Sequence, residues 1–172
     1  MTVKVLAVYE SHIGNTGRVT RAVAEGLVHC AEVGLLDIEQ APPIGELRAH
    51  LLVIGAPTHV LGLSRSDSRR EALEQAGLPE ASPRGIREWL DGATAATPPV
   101  AVFDTRTLES RLPGSAARDV VRRLRRRGVP VVAPVEHFAV HGVHGPLAPG
   151  EEERARAWGR ALLDRLAQRV AS

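Results

Sequence analysis

Tyr9-Glu10-Ser11-His12-Ile13-Gly14-Asn15-Thr16 divides an apolar run from a stretch of helical periodicity, and the fold is read outward from it. The run before it, Val3-Lys4-Val5-Leu6-Ala7-Val8-Tyr9, is rich in β-branched residues and nearly uncharged, as a buried parallel strand requires. After it, Val19, Ala22, Val23, Gly26, Leu27 and Cys30 recur at helical spacing on one face. The intervening loop supplies two hydroxyls, an amide and a glycine where a helix presents its unpaired N–H groups. With the helix dipole aimed at the gap, this is a site for an anion, and a phosphate monoester suits it best. A helix capped by Ser11 or Thr16 after a plain turn would use the same residues without a ligand.

Two common phosphate loops are excluded. A Walker loop needs Gly-x-x-x-x-Gly-Lys-Ser/Thr, and Glu10–Thr20 contains no lysine. A dinucleotide fingerprint needs Gly-x-Gly-x-x-Gly, which the spacing of Gly14 and Gly17 does not give. A cradle of hydroxyls and backbone amides suits a terminal phosphate better than a pyrophosphate.

Further along, strands and helices alternate. A weaker strand lies near Val33–Ile38 and a stronger one at Leu51–Gly55. A helix starts near Ser66 or Ser68 and stops by Gly77, and a shorter one spans Pro83–Leu90, capped by Ser82. A strand at Pro99–Asp104 precedes a helix from Ser115 to Arg127, and Val129–Val140 reads as the last strand, with Pro134 forcing a bend or edge within it. The final helix runs from about Gly150 to Ala171, opening on Glu151-Glu152-Glu153. This alternation predicts an α/β fold: an open five-stranded parallel sheet with helices on both faces.

A length of 172 residues suits one domain over the whole chain. No run approaches the roughly 18 apolar residues of a membrane span, and the N-terminus enters a strand without signal-peptide features, so a cytoplasmic protein is expected. The lone Cys30 is expected on the first helix's apolar stripe as a small core residue. Trp89 and Trp158 fall on helices as core or boundary residues.

Ser11-x-x-Gly14-Asn15-Thr16 resembles the phosphate loop of flavodoxins, which bind flavin mononucleotide (FMN). The family pattern is Thr/Ser-x-Thr-Gly-Asn-Thr, and Ile13 replaces its third hydroxyl. After Leu51–Gly55, the segment Ala56-Pro57-Thr58-His59-Val60-Leu61-Gly62 resembles the loop covering one side of the flavin ring. Asp104-Thr105-Arg106 follows a strand where the family places the loop at the ring's pyrimidine edge. The three segments occur in the family's order across nearly the whole chain. The resemblance implies strand order 2-1-3-4-5, with the ligand at the switch point beyond the first and third strands. Val129–Val140 leaves little room for the long-form insertion, so the likeness is to short-form flavodoxins.

What the resemblance implies is an FMN-binding electron-transfer protein with redox-protein partners. Ser11, His12, Ile13, Gly14, Asn15 and Thr16 would hold the phosphate, Pro57, Thr58, His59 and Gly62 would flank the ring, and Asp104, Thr105 and Arg106 would meet its pyrimidine edge. Two alternatives stay open: an FMN-dependent reductase or dehydrogenase acting on a quinone or similar small substrate, with His59 relaying a proton, and a flavin-less interaction module. Several residues depart from the family. The formal charge is +2 where electron-carrying flavodoxins are typically acidic, and the ring loops contain neither Trp nor Tyr. His59 at its ordinary pKa of about 6.5 would protonate beside the ring.

Arg118, Arg122, Arg123, Arg125, Arg126 and Arg127 crowd one helix opposite the apolar Ala117, Val120, Val121 and Leu124. They read as a solvated face, with a docking patch for an acidic protein as the sharper alternative. Nucleic acid is disfavoured because no aromatic residues interleave with the charges. Arg65, Arg69 and Arg70 follow the ring loop and would steer an anionic, acidic partner or decorate a helix start. His137, His141 and His144 lie near the end of the last strand, and the stretch Val140–Pro149 holds no Cys or carboxylate to complete a ligand set, so no metal site is assigned.

Overall fold

The computed structural model describes residues 2–59, 62–79, 84–111 and 113–170. Its elements are β1 (Val3–Tyr9), α1 (Asn15–Leu27), β2 (Ala31–Asp37), β3 (Leu51–His59), β4 (Gly62–Leu63), α2 (Ser66–Gln75), α3 (Ile86–Trp89), β5 (Val100–Thr107), α4 (Ala116–Arg126), β6 (Glu136–Val140) and α5 (Glu151–Val170). Five strands pair in parallel in the order β2-β1-β3-β5-β6. This is the order 2-1-3-4-5 counted over the parallel strands alone. The sixth strand, β4, was not foreseen: β3 runs past Gly55 to His59, where Thr58 and His59 pair antiparallel with Leu63 and Gly62.

Side-chain alternation along the strands sends apolar residues to both faces of the sheet. Val8, Ile54 and Val102 pack with Ile86, Trp89, Leu90, Val120 and Leu124 on one face. Val5, Ala7, Val53 and Phe103 pack with Val19, Val23, Trp158 and Leu162 on the other. Helices α1 and α5 lie side by side in that second layer. A side chain on Gly26 would collide with the Arg156 carbonyl, and one on Gly159 with the Val23 carbonyl. The two glycines therefore set how closely the helices approach.

The last strand is shorter than its apolar run suggested. Only Glu136–Val140 forms ladder, while Val131 makes one isolated bridge to Val100. Proline at 130 and 134 removes the N–H groups a longer ladder needs. As an edge strand, β6 has backbone groups facing outward. Ala139 N–H donates to Glu151 Oε2 at 2.7 Å, and the His137 carbonyl accepts from Arg154. Side chains of α5 thus blunt the open edge.

Helix ends follow local chemistry. Ser115 caps α4 by accepting from Arg118 N–H, and Gly128, at φ 75°, ends it in the left-handed region. Trp89 and Trp158 are buried, as expected. Cys30 is not: it is exposed in the turn after α1, because that helix stops at Leu27. Ser82, Pro83 and Ala171, assigned to helix ends from sequence, lie outside the described residues. Among the described residues no helix is long and apolar enough to cross a membrane.

Candidate functional site

A cavity of about 400 Å³ opens where the carboxyl ends of β1, β3 and β5 meet the start of α1. Its size falls within the range of small-molecule and cofactor sites, and it sits at the topological switch point. Ser11, His12, Ile13, Asn15 and Thr16 line one end, Pro57, Thr58 and His59 one wall, and Thr105 and Arg106 another. Ten of the thirteen residues singled out from sequence are therefore brought together.

Gly14 is the N-cap of α1 at φ 104°, which lets the chain turn sharply into the helix. Capping differs from the sequence reading, because Ser11 and Thr16 are not the N-cap. Ser11 Oγ accepts from Gly17 N–H at 3.1 Å, so it satisfies one amide of the first turn from outside the helix. Thr16 lies inside the helix, and its hydroxyl meets that of Thr105 at 2.8 Å, tying the first loop to the third. Asn15 Nδ2 donates to the Gly145 carbonyl at 2.8 Å, which brings the segment after β6 over the cavity. Val140, at the end of β6, and Gly142 and Val143 after it line the cavity, a wall that no local pattern marks.

Gly14, Gly62 and Asp104 do not line the cavity. Gly62 pairs with His59 in the hairpin, and a side chain there would strike the Asp119 carboxylate. Asp104 is fully buried below the wall. Its Oδ2 accepts from the hydroxyls of Thr58 (3.0 Å) and Ser115 (2.7 Å) and from Ala117 N–H (3.0 Å), while Oδ1 meets His137 Nδ1 at 2.6 Å. Burial alone would raise its pKa, but hydrogen bonds from His137, Ser115 and Ala117 outweigh it and hold the carboxyl below its usual value. Asp104 joins the end of β3, the start of α4 and the edge strand from beneath.

No protein-family model and no curated protein sequence matches the chain. Solved structures do. Oxidised flavodoxin 1 from Bacillus cereus superposes with a TM-score of 0.68 at 20% identity, covering 94% of this chain and 97% of its own. A flavodoxin from the domain Archaea gives 0.66 at 16% identity, covering 95% and 99%. The Flv1 flavodiiron core from Synechocystis gives 0.64 at 16% identity, covering 97% of this chain and 36% of its own. The fold is that of the flavodoxins.

Within this flavodoxin fold the cavity rests on a buried carboxylate. Glu10, buried with 1% relative exposure, continues β1 beneath the cavity. Its Oε1 meets His12 Nε2 at 2.8 Å and accepts from the Ser64 hydroxyl, and its Oε2 accepts from Ile86 N–H at 2.8 Å. Burial would raise the Glu10 pKa; hydrogen bonds from His12, Ser64 and Ile86 prevail and lower it. Arg69, also buried, donates to Ser64 Oγ at 3.1 Å and pairs with Glu88 at 3.3 Å. It is therefore unavailable for steering a partner, contrary to the sequence reading, and Arg70 pairs with Asp67 on its own helix.

His59 stands edge-on to His12, ring centroids 5.7 Å apart. Burial, reinforced by His12, pushes its pKa down to about 4 against the pull of Glu10, so it stays neutral where the sequence reading had it titrate. Glu10, His12 and His59 are the one group of three metal-ligating side chains among the described residues, their ligand atoms within 4.8 Å. Both Glu10 oxygens are already occupied by hydrogen bonds, and the Arg69 cation sits behind Ser64. The group reads as a carboxylate–imidazole pair anchored from below. His137 and His141 instead turn to Asp104 and Glu109.

Thr107 at the end of β5 and Ser110 and Gly114 after it also line the cavity and were missed in the sequence, as was one face of α2: Ser68, Glu71, Ala72 and Gln75. Their i, i+3, i+4, i+7 spacing marks a single helix face and was a readable signal. Glu10 was signalled too, as a carboxylate directly continuing a buried strand.

Proposed function

We propose that the protein binds FMN in this cavity and carries electrons between redox proteins. The observation that supports it is the start of α1 opening, through Ser11–Thr16, into a cofactor-sized cavity at the switch point. These residues fit the group. Helix-terminal N–H groups and the Thr16–Thr105 hydroxyl pair suit a phosphate at one end. Pro57–His59 and Thr105–Arg106 form walls for a flat ring at the other. Bound FMN supplies the redox chemistry; the chain holds, orients and shields it. His12 and His59 are the ring side chains lining the cavity, in place of the aromatic pair common in the family. Absorbance of the purified protein with FMN, followed through stepwise reduction, tests binding and redox cycling together. Absence of any flavin signal at saturating FMN overturns the reading in favour of an interaction module.

One observation favours a second reading, an FMN-dependent reductase. His12 lines the cavity with the Glu10 carboxylate hydrogen-bonded to its ring from beneath, the arrangement of a general acid–base. Ser68, Glu71 and Gln75 extend the polar wall beyond the candidate cofactor contacts. His12 would pass a proton to a small substrate and Glu10 would orient its ring. Turnover of a quinone or similar acceptor that His12→Gln slows without loss of FMN binding decides for the enzyme. Absence of turnover with any such acceptor leaves the carrier.

A further inference from the structure

A second concavity, about 500 Å³, lies between α4 and the irregular segment that leads into β6. Arg118, Arg122, Arg125 and Arg126 line its helical side, all four exposed. Their i, i+4, i+7, i+8 spacing makes one stripe, about 12 Å long at helical rise. The opposite side and floor are Val131, Ala133 and Val135, with Val121 beneath the stripe. Among the described residues, no acidic side chain lines the groove.

The stripe is only partly neutralised. The first half of α5 pairs its arginines, Arg154 with Glu136 and Glu151, Arg156 with Glu25 and Glu153, and Arg160 with Glu153, whereas Arg165 and Arg169 further along have no side-chain ion pair among the described residues. On α4 the only acid is Asp119, shared by Arg122 and Arg87. Arg118, Arg125 and Arg126 have no side-chain ion pair among the described residues. The helix dipole favours cations in the last turn, which covers Arg125 and Arg126. It disfavours the cation at Arg118 in the first turn.

We infer that this groove docks an acidic segment of a partner protein, its carboxylates on the arginine stripe and apolar side chains on the valine floor. Charge complementarity selects the sign of the partner. The apolar floor selects protein over nucleic acid, since Val and Ala offer bases nothing to stack on. Prolines 130 and 134 interrupt the edge, so the segment binds by side chains and not as an added strand. The inference does not depend on FMN. The groove shares α4 with Gly114, which lines the cavity just before that helix begins.

The test uses the full chain and a labelled, glutamate-rich peptide carrying two leucines, read by fluorescence anisotropy. The comparators are a leucine-to-serine version and a single-stranded oligonucleotide of equal charge. Arg118→Gln/Arg125→Gln/Arg126→Gln should weaken the leucine peptide about tenfold or more, while Arg156→Gln/Arg160→Gln changes nothing. Pro134→Glu, which leaves every arginine in place and adds a carboxylate at an exposed rim, should weaken it as well. Thermal melts confirm that each variant is folded. Hydrogen exchange should show protection over residues 118–126 and 131–135. Equal binding by the triple variant, equal binding of the serine peptide, or tighter binding of the oligonucleotide through the same arginines overturns the inference.

Discussion

The hydroxyls of Thr16 and Thr105 lie 2.8 Å apart although 89 positions separate them in the chain. Two hydroxyls carry two hydrogens, and one is spent between them. The accepting hydroxyl keeps a free O–H, so the pair presents one donor toward the cavity rather than two.

Either Thr16→Val or Thr105→Val should therefore cost about 1–3 kcal/mol by stranding its buried partner. The double change should cost less than the sum. Either hydroxyl alone still offers one donor, so each single change should weaken FMN less than about tenfold and the double change about ten- to a hundredfold, with riboflavin affinity barely altered. Urea denaturation and flavin titration over the double-mutant cycle check this; strict additivity in either contradicts the shared donor.

His59 titrates in the folded protein near pH 4, against 6.5 for an exposed imidazole. Between those values the unfolded chain binds the extra proton, so stability rises with pH. The contribution is complete above about 6.5 and lost as pH falls toward 4. In full it is about 3 kcal/mol. Glu10, with its pKa lowered, loses its contribution only below its usual value of 4.5. His59→Gln should flatten the upper window and leave the lower one. Identical pH–stability curves for wild type and variant would remove His59 from the account.

Gly26→Ala or Gly159→Ala should separate α1 from α5. Alanine gains about 1 kcal/mol of helix propensity, but its methyl meets a backbone carbonyl that cannot swing away. A net loss of about 1–3 kcal/mol is expected, read as a lowered melting temperature. A stabilised Gly26→Ala protein would show that the helices do not touch there.

Asp104→Ala should destabilise by about 3 kcal/mol, since it strands the Thr58, Ser115 and Ala117 donors in the interior. Asp104→Asn should cost less, because its carbonyl can still accept from those three. The gap between wild type and Asp104→Asn should close in acid. The depressed carboxyl stabilises the fold above 3.8 and ceases to as pH falls through its lowered folded value. A gap that persists when Asp104 is protonated would mean the charge is not what matters.

Local patterns in the sequence determined the alternation of strands and helices, the strand order through the resemblance, and the Ser11–Thr16 end of the cavity. Val3–Tyr9 can be read alone because a buried parallel strand is apolar on both faces. The face formed by Ser68, Glu71 and Gln75 was equally local. Only the tertiary structure decided what the polar residues do. Asp104 and Arg69 look like site or surface residues in the chain, yet both are buried: Asp104 serves donors from β3 and α4, and Arg69 meets Ser64 beyond β4 and Glu88 of α3. His59 carries an ordinary imidazole's expectation until its burial and its neighbour His12 are known. Burial and partnership arise between segments far apart in the chain, and in a low-dielectric interior they, more than residue type, set the charge state and role of a polar side chain.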